Sequence, residues 1–320
     1  MIIESAIGDY TDFRIPGMVV TEKGTLLRYC ECRKGQNDWS EIDIKIARST
    51  DEAKSWETVA LLRGNGSTLN NPVIFVDGDT LVLLYCKNYR EIWRSFSTDD
   101  GESFSPAERV NFEDRADFFY NAVAVGPGHG IVHNGRLIVP VWFAYNREDP
   151  KDHHPSFIST LYSDDHGKSW SLGEIIYRDV LLDPSECALA VNEKNEVLIS
   201  IRHIGEERTR AIAKSPDGIS SWYGLEFNKN LPDPICMGSM YHRDGVIYHI
   251  NCNSTAGRKN LALKISSDSF KSCREIAVSE FGGYADIALL NNKIFVFYEK
   301  SVFTDNKYEP FVLCFDVIDL

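Results

Sequence analysis

A short pattern, Ser-x-Asp-x-Gly-x-x-Trp/Phe, recurs along the chain and limits its fold more than any other feature. It is complete at Ser97 to Phe104 and at Ser163 to Trp170. Weaker copies are STDEAKSW (Ser49 to Trp56), SPDGISSW (Ser215 to Trp222) and SSDSFKSC (Ser266 to Cys273). The five starts are separated by 48, 66, 52 and 51 residues, so each interval holds one structural unit. Ser and Asp side chains bond nearby backbone N–H groups, Gly supplies positive φ, and the terminal aromatic plugs into the sheet beneath. The pattern is therefore a hairpin turn with an anchor.

Short runs rich in β-branched and aromatic residues lie between the turns: Thr80 to Cys86, Arg136 to Trp142, Glu196 to Ile201, Gly245 to Ile250 and Lys293 to Tyr298. No segment sustains a 3.6-residue apolar period. Many short strands, dense turn signals from 22 Gly and 12 Pro, and a period near fifty indicate an all-β fold, a β-propeller with four strands to a blade. Six blades fit the 320 residues, so residues 1–320 are expected to form a single six-bladed domain. A sandwich or a β-helix has a shorter sequence period. Such turns describe a fold and carry no chemistry, but a propeller brings residues distant in sequence to one mouth of its central channel.

The chain carries 34 Lys plus Arg against 47 Asp plus Glu, a formal charge of −13, which repels nucleic acid and anionic membranes on average. An anionic substrate therefore needs a local cluster of bases that reverses the mean field. The longest apolar run, Leu137 to Tyr145, is too short to span a bilayer. The start, MIIESAIGDYTD, has neither a basic nor a long apolar region and reads as mature cytoplasmic sequence, although a trimmed leader would leave the same start. Eight scattered cysteines with no CxxC spacing read as reduced core thiols. His153-His154, between charged residues and Pro155, reads as an exposed loop without the further ligands a metal needs. No phosphate-cradling GxxxxGK[ST] or GxGxxG motif is present.

Other motifs arrive in a fixed order. Phe13-Arg14-Ile15-Pro16 opens the chain, then Gly126-Pro127-Gly128-His129-Gly130-Ile131 precedes Asn134-Gly135-Arg136-Leu137-Ile138-Val139-Pro140. Pro184-Ser185-Glu186-Cys187, Ile201-Arg202-His203, Gly257-Arg258-Lys259-Asn260-Leu261 and Gly283-Tyr284-Ala285-Asp286 follow. Together with the repeated turns this set resembles the bacterial-type exo-α-sialidases with Asp-box (BNR) repeats, over nearly the whole chain.

The resemblance implies a retaining glycoside hydrolase that needs no metal or cofactor and acts on a sialylated glycan or a related sugar-acid glycoside. A 2-keto sugar acid carries a carboxylate on its anomeric carbon, and planar guanidinium groups grip carboxylates bidentately. Arg14, Arg202 and Arg258 are the candidates for that grip. A carboxylate nucleophile would be repelled by the substrate's own charge, and sialidases are the known tyrosine exception among glycosidases. The resemblance thus makes Tyr284 the nucleophile and Glu186 its base. Asp38, in the polar loop Arg33 to Asp38, is the expected acid/base; Asp43 is its rival but falls in the alternating run Ile42 to Ile46. Arg33 and Asn71 resemble the residues at the sugar's 4-hydroxyl corner. Asn70 stands where relatives often place a methionine beside the N-acetyl group, which opens an alternative substrate class, non-acetylated 2-keto-3-deoxy acids. Trp39, Trp93, Phe119 and Tyr120 are the candidate apolar walls. A propeller that binds sialoglycans without cleaving them is the reading from another class, suggested by the three degenerate turns.

Overall fold

Burial follows strand position along the whole chain. The first three strands of each repeat are buried on both faces, as in Leu26–Arg33, whereas the fourth is polar and open, as in Glu57–Leu62 and Arg274–Phe281. Sheets that stack face to face and leave only their last strand on a rim give this pattern. The computed structural model describes residues 1–112, 118–300, 303–304, 307–308 and 310–320, and among these no helix forms. Six antiparallel sheets are arranged in a ring, a six-bladed β-propeller. Blade I holds strands between residues 12 and 62, blade II 69 to 109, blade III 122 to 172, blade IV 187 to 232 and blade V 239 to 281. Blade VI combines Ala285–Leu290, Lys293–Lys300 and Val312–Asp319 with Ile2–Glu4 from the other end of the chain. The ring therefore closes by strand pairing.

All five repeated turns join the third strand of a blade to its fourth, and four share the same bonding, while the turn at Ser215 closes one residue earlier, with Gly218 N–H on Ser215 at 2.9 Å. In the turn at Ser163, Asp165 accepts from the Ser163 hydroxyl at 2.8 Å and from the Ser169 backbone and hydroxyl at 2.8 and 2.6 Å, while Gly167 N–H donates to Ser163 at 2.9 Å. These bonds depress the carboxyls of Asp51, Asp99 and Asp165 to about 2; for Asp165 burial opposes the shift and the Ser169 and Ser163 bonds outweigh it. The degenerate copies keep the geometry. Ala53 and Phe270 occupy the glycine position at φ of 66° and 63°, and each N–H still bonds the leading serine at 3.0 and 2.9 Å. The anchors plug the seam to the preceding blade, a refinement of the expectation that they plug the sheet beneath: Trp170 meets Phe75 of blade II at 5.6 Å and Trp56 meets Phe315 of blade VI at 5.6 Å.

Buried hydrogen bonds tie the blades together around the channel. Asp286 of blade VI accepts from Met18 N–H at 2.8 Å, from the Ser239 hydroxyl and from His129 Nδ1 at 2.9 Å, joining blades I and V to the segment of blade III between Ala122–Val125 and Ile131–His133. Tyr29, fully buried, donates to Gly128 O at 2.8 Å and accepts from Ile74 N–H at 3.1 Å. A side chain at Gly17 would overlap the Tyr29 ring at 2.0 Å, so only glycine fits there. All eight cysteines are free, and all but Cys273 are buried.

Candidate active site

The open mouth is built where two inner strands break register. Blade I shifts between Arg14 and Gly17, with Ile15 at φ 56°, and blade II shifts between Asn70 and Val73, with Asn71 at φ 52°. Positive φ at a β-branched residue is strained, and bulges of this kind re-aim side chains beside functional clefts. Here they turn Arg14 and Asn71 into one cleft with Arg33, Asp38, Glu186, Arg202, Arg258 and Tyr284.

At the floor, the Tyr284 hydroxyl lies 2.6 Å from both carboxylate oxygens of Glu186. Arg202 Nη1 donates to the same hydroxyl at 2.8 Å and also pairs with Glu186. The guanidiniums of Arg14 and Arg258 stand over the Tyr284 ring at 5.1 and 5.2 Å. Burial raises the phenol's pKa and Glu186 adds to it, against the pull of Arg202, Arg258 and Arg14, so the resting phenol keeps its proton.

The three arginines are not equally satisfied. Arg14 donates from Nε and Nη2 to Glu299 at 3.0 and 3.3 Å. Arg202 Nε is buried without a partner, and Arg258 makes no hydrogen bond or ion pair among the described residues. Arg202 and Arg258 therefore keep unpaired donors at the cleft, a local concentration of positive charge in a chain of charge −13.

Across the cleft, Arg33 is fully buried and divides its donors: Nε and Nη2 bond Glu31 at 2.8 and 2.6 Å, and Nη1 bonds Asp38 at 2.7 Å. Burial would raise the Asp38 carboxyl, yet Arg33 and Arg14 hold it below the usual carboxylate range. Asn71 N–H donates to the second Glu31 oxygen at 2.8 Å. Asp43 lies outside the cleft, buried on its strand and bonded to Tyr10, Arg63 and Gly64 N–H. Asn70 is fully buried behind the wall, tied to Thr68 and to Asp38 O, and does not line the cleft.

The apolar wall differs from the expected one. Trp93 belongs to a groove between blades I and II, Phe119 lies out at the rim under Arg147, and Tyr120 packs on Phe143. Of the four, only Trp39 reaches this end, resting on Tyr89 at 5.1 Å and near His153 at 6.0 Å. The wall itself is Tyr89, Trp142, His153 and His154. The reading of His153-His154 as an exposed loop is corrected for His153, which packs against Tyr89 and Trp142 at 4.8 and 5.0 Å so that burial lowers its pKa, while the His154 side chain keeps 43% exposure.

Sequence reasoning also missed three buried supports. Glu299, with no exposure, accepts from Arg14, from Ile15 N–H at 3.0 Å and from Tyr284 N–H at 3.1 Å. Glu31 anchors Arg33, and its position two residues earlier on the same strand was the available signal. Arg210, also fully buried, donates to the backbone carbonyls of Glu186 at 3.1 Å, Ser200 at 3.0 Å and Cys236 at 2.7 Å, fixing the Glu186 strand against blade V. No group of His, Cys, Asp or Glu among the described residues is arranged to hold a metal ion.

Residues 24–289 match the BNR repeat-like domain family. The sialidase of Bacteroides fragilis is 28% identical over 91% of this chain, and the chain spans 60% of that relative's length. Among solved structures, the Hadza microbial sialidase Hz136 superposes with a TM-score of 0.81 at 19% identity, covering 98% of this chain and 66% of that one. The Trypanosoma rangeli sialidase in complex with 2,3-difluorosialic acid, a covalent intermediate, gives 0.74 at 18% identity, covering 99% of this chain and 55% of that one.

Proposed function

From the premise that this chain belongs to the sialidase family with BNR repeats, we propose that it is a retaining exo-α-sialidase that releases terminal sialic acid from glycoconjugates through a covalent tyrosyl intermediate. The observation that carries the reading is the Tyr284 hydroxyl held by both oxygens of Glu186 beneath three guanidiniums. The substrate carboxylate is bound by Arg14, Arg202 and Arg258, which fixes the anomeric carbon over the phenol. As the Tyr284 oxygen bonds to that carbon, its proton passes to Glu186. The glycosidic oxygen leaves with a proton from Asp38. Water then attacks the same carbon from the vacated side, giving its proton to Asp38, and the departing Tyr284 oxygen recovers its proton from Glu186. Two displacements at one carbon return the original configuration.

The electrostatics supply a reason for the order of events. An occupied arginine pocket neutralises much of the pull that Arg14 exerts on Asp38, so binding the substrate's acid group raises the carboxyl that must donate a proton. The non-acetylated substrate class took its motive from Asn70, which does not line the cleft. The non-catalytic reading took its motive from the degenerate turns, which keep their hydrogen bonds.

An assay with an aryl sialoside, followed by analysis of the released sugar, tests this function. Turnover of the original chain and its loss in Tyr284→Phe by roughly three orders of magnitude are expected. Full activity in Tyr284→Phe removes the mechanism, and no released sialic acid removes the function.

A further inference from the structure

Behind the floor of the cleft lie two thiols that the mechanism above does not use. Cys236 stands just ahead of the first strand of blade V, Ser239–Arg243, and Cys252 ends its second, Val246–Cys252. The hairpin between these strands brings the second cysteine, 16 residues on (252 − 236), back beside the first. Both are fully buried, in one packed cluster with Ile15, Met237 and Tyr284, and their thiols are hydrogen-bonded to each other. A disulfide needs its two sulfurs in direct reach, and this pair meets that condition without a change of fold.

Their surroundings favour reaction. Burial opposes ionisation of Cys236, yet the bond from Cys252 and the guanidiniums of Arg258 and Arg202 hold its pKa below the ordinary thiol value. Those two arginines line the cleft, so an oxidant the size of water that enters it comes within one side chain of the sulfurs. The pair also touches both members of the Tyr284–Glu186 couple. Cys252 Sγ lies 3.6 Å from Gly283 O, and a side chain at Gly282 would meet that sulfur at 2.7 Å. A side chain at Gly283 would meet Glu299 Cβ at 2.6 Å. The two glycines that lead into Tyr284 are thus clasped between a sulfur and Glu299. Cys236 O accepts from Arg210 at 2.7 Å, and Arg210 also donates to Glu186 O at 3.1 Å.

We propose that Cys236 and Cys252 are a peroxide-sensitive modification site, whose disulfide shifts the Gly282–Tyr284 segment and reversibly silences the cleft. The Cys236 sulfur attacks one oxygen of hydrogen peroxide, the O–O bond breaks, and the departing hydroxide takes the Cys236 proton as water, leaving a sulfenic acid. The Cys252 sulfur then displaces that hydroxyl, which leaves with the Cys252 proton as a second water. Two thiols are oxidised and one peroxide is reduced. Drawing Cys252 Sγ into a covalent bond removes it from its seat against Gly282 and Gly283, so the backbone entering Tyr284 loses one side of its clasp. The loss of activity rests on the sialidase reading; the disulfide and the movement of the segment do not.

Treating the whole folded chain with hydrogen peroxide tests it, with peptide mass mapping, amide hydrogen exchange and kcat/KM on an aryl sialoside read before and after. A peptide pair joined through Cys236 and Cys252, faster exchange at residues 282–286 and a fall in kcat/KM of about tenfold to a hundredfold are expected, all reversed by dithiothreitol. Cys252→Ser, compared with its own untreated rate, should resist peroxide; if that variant does not fold, Cys236→Ser provides the same comparison. No joined peptides in folded protein, a link that leaves exchange and activity unchanged, or equal inactivation of the serine variant overturns the proposal. If no sialoside is cleaved before treatment, the sialidase reading fails, and the link with its exchange signature, present or absent, still decides the thiol pair.

Discussion

The repeated turns and the open mouth belong to the same blades, yet they satisfy their polar groups in opposite ways. In each turn the bonds among the leading serine, the aspartate and the residues that follow join positions at most five apart, and the copies repeat closely similar patterns around the ring. At the mouth the partners lie far apart in sequence: 285 residues separate Arg14 from Glu299, 98 separate Tyr284 from Glu186 and 82 separate Arg202 from Tyr284. A turn can thus be damaged and remain one damaged turn. The mouth exists only when the ring has closed: Arg14, Arg202 and Tyr284 each bond a residue of another blade, while Arg33, Glu31 and Asp38 pair within blade I.

Glu299→Ala should separate the two regions most strongly. It leaves Arg14 unpaired and the N–H groups of Ile15 and Tyr284 without an acceptor, and loss of one partner of a buried pair costs about 3 kcal/mol or more. Denaturant unfolding should show that loss, and kcat/KM on any sialoside should fall with it in soluble, folded protein. An intact kcat/KM would mean that Arg14 holds its place without support.

The pH dependence sharpens the contrast next. In the proposed mechanism Asp38 donates a proton and must be protonated to do so; its carboxyl is depressed, so kcat/KM should be greatest in acid and decline as pH rises through that low value. Asp38→Asn should erase the decline when an aryl leaving group needs no proton. The turn aspartates should be silent in activity and visible in stability. Because the folded value of Asp165 is about 2, below that of the unfolded chain, its contribution is complete above about pH 4 and disappears as pH falls toward 2. His129 behaves oppositely. Burial opposes its charge but Asp286 raises its folded pKa, so its contribution is complete below about pH 6.5 and is lost as pH climbs past the raised value. Stability profiles of His129→Gln and Asp165→Ala should converge on the parent at the alkaline and acid ends respectively.

Smaller effects come from single turns. Asp165→Ala should lower Tm by roughly 2 to 4 °C with kcat/KM unchanged. Ala53→Gly should raise Tm by about 1 to 2 °C, since it removes the strain of an alanine at φ 66°. A fall in Tm would show that the Cβ of Ala53 contributes packing that outweighs the strain.

The same contrast explains what could be read from the amino acids alone. The turns were legible because serine, aspartate and glycine act on their own neighbours, and their spacing displayed the blades. Arg14, Arg202, Arg258, Glu186 and Tyr284 drew notice through motifs, and the structure places them around one cleft. Glu299 was not legible: it is the last residue but one of the strand Lys293–Lys300, where an acidic residue looks like a solvated strand end, and its three partners lie on other segments. Tyr89, Trp142 and His153 were missed because an aromatic within or beside a strand looks the same whether it faces a core or a ligand. Asn70 and Asn71 show the limit of reading by position, since the bulge between them and Val73 sends one behind the wall and the other into the cleft.

The pairing of Ile2–Glu4 with Val312–Asp319 fastens the molecule like a belt buckle, and the Met1 amino group even reaches Phe315 O at 2.9 Å. New ends could therefore be cut at any exposed serine-aspartate turn once a short linker welds residues 1 and 320, and such circular permutants should keep their catalytic mouth because every cut falls on the opposite rim. A chain merely shortened by its first four residues would instead leave the last blade unlatched, so gene fusions at that end deserve a spacer.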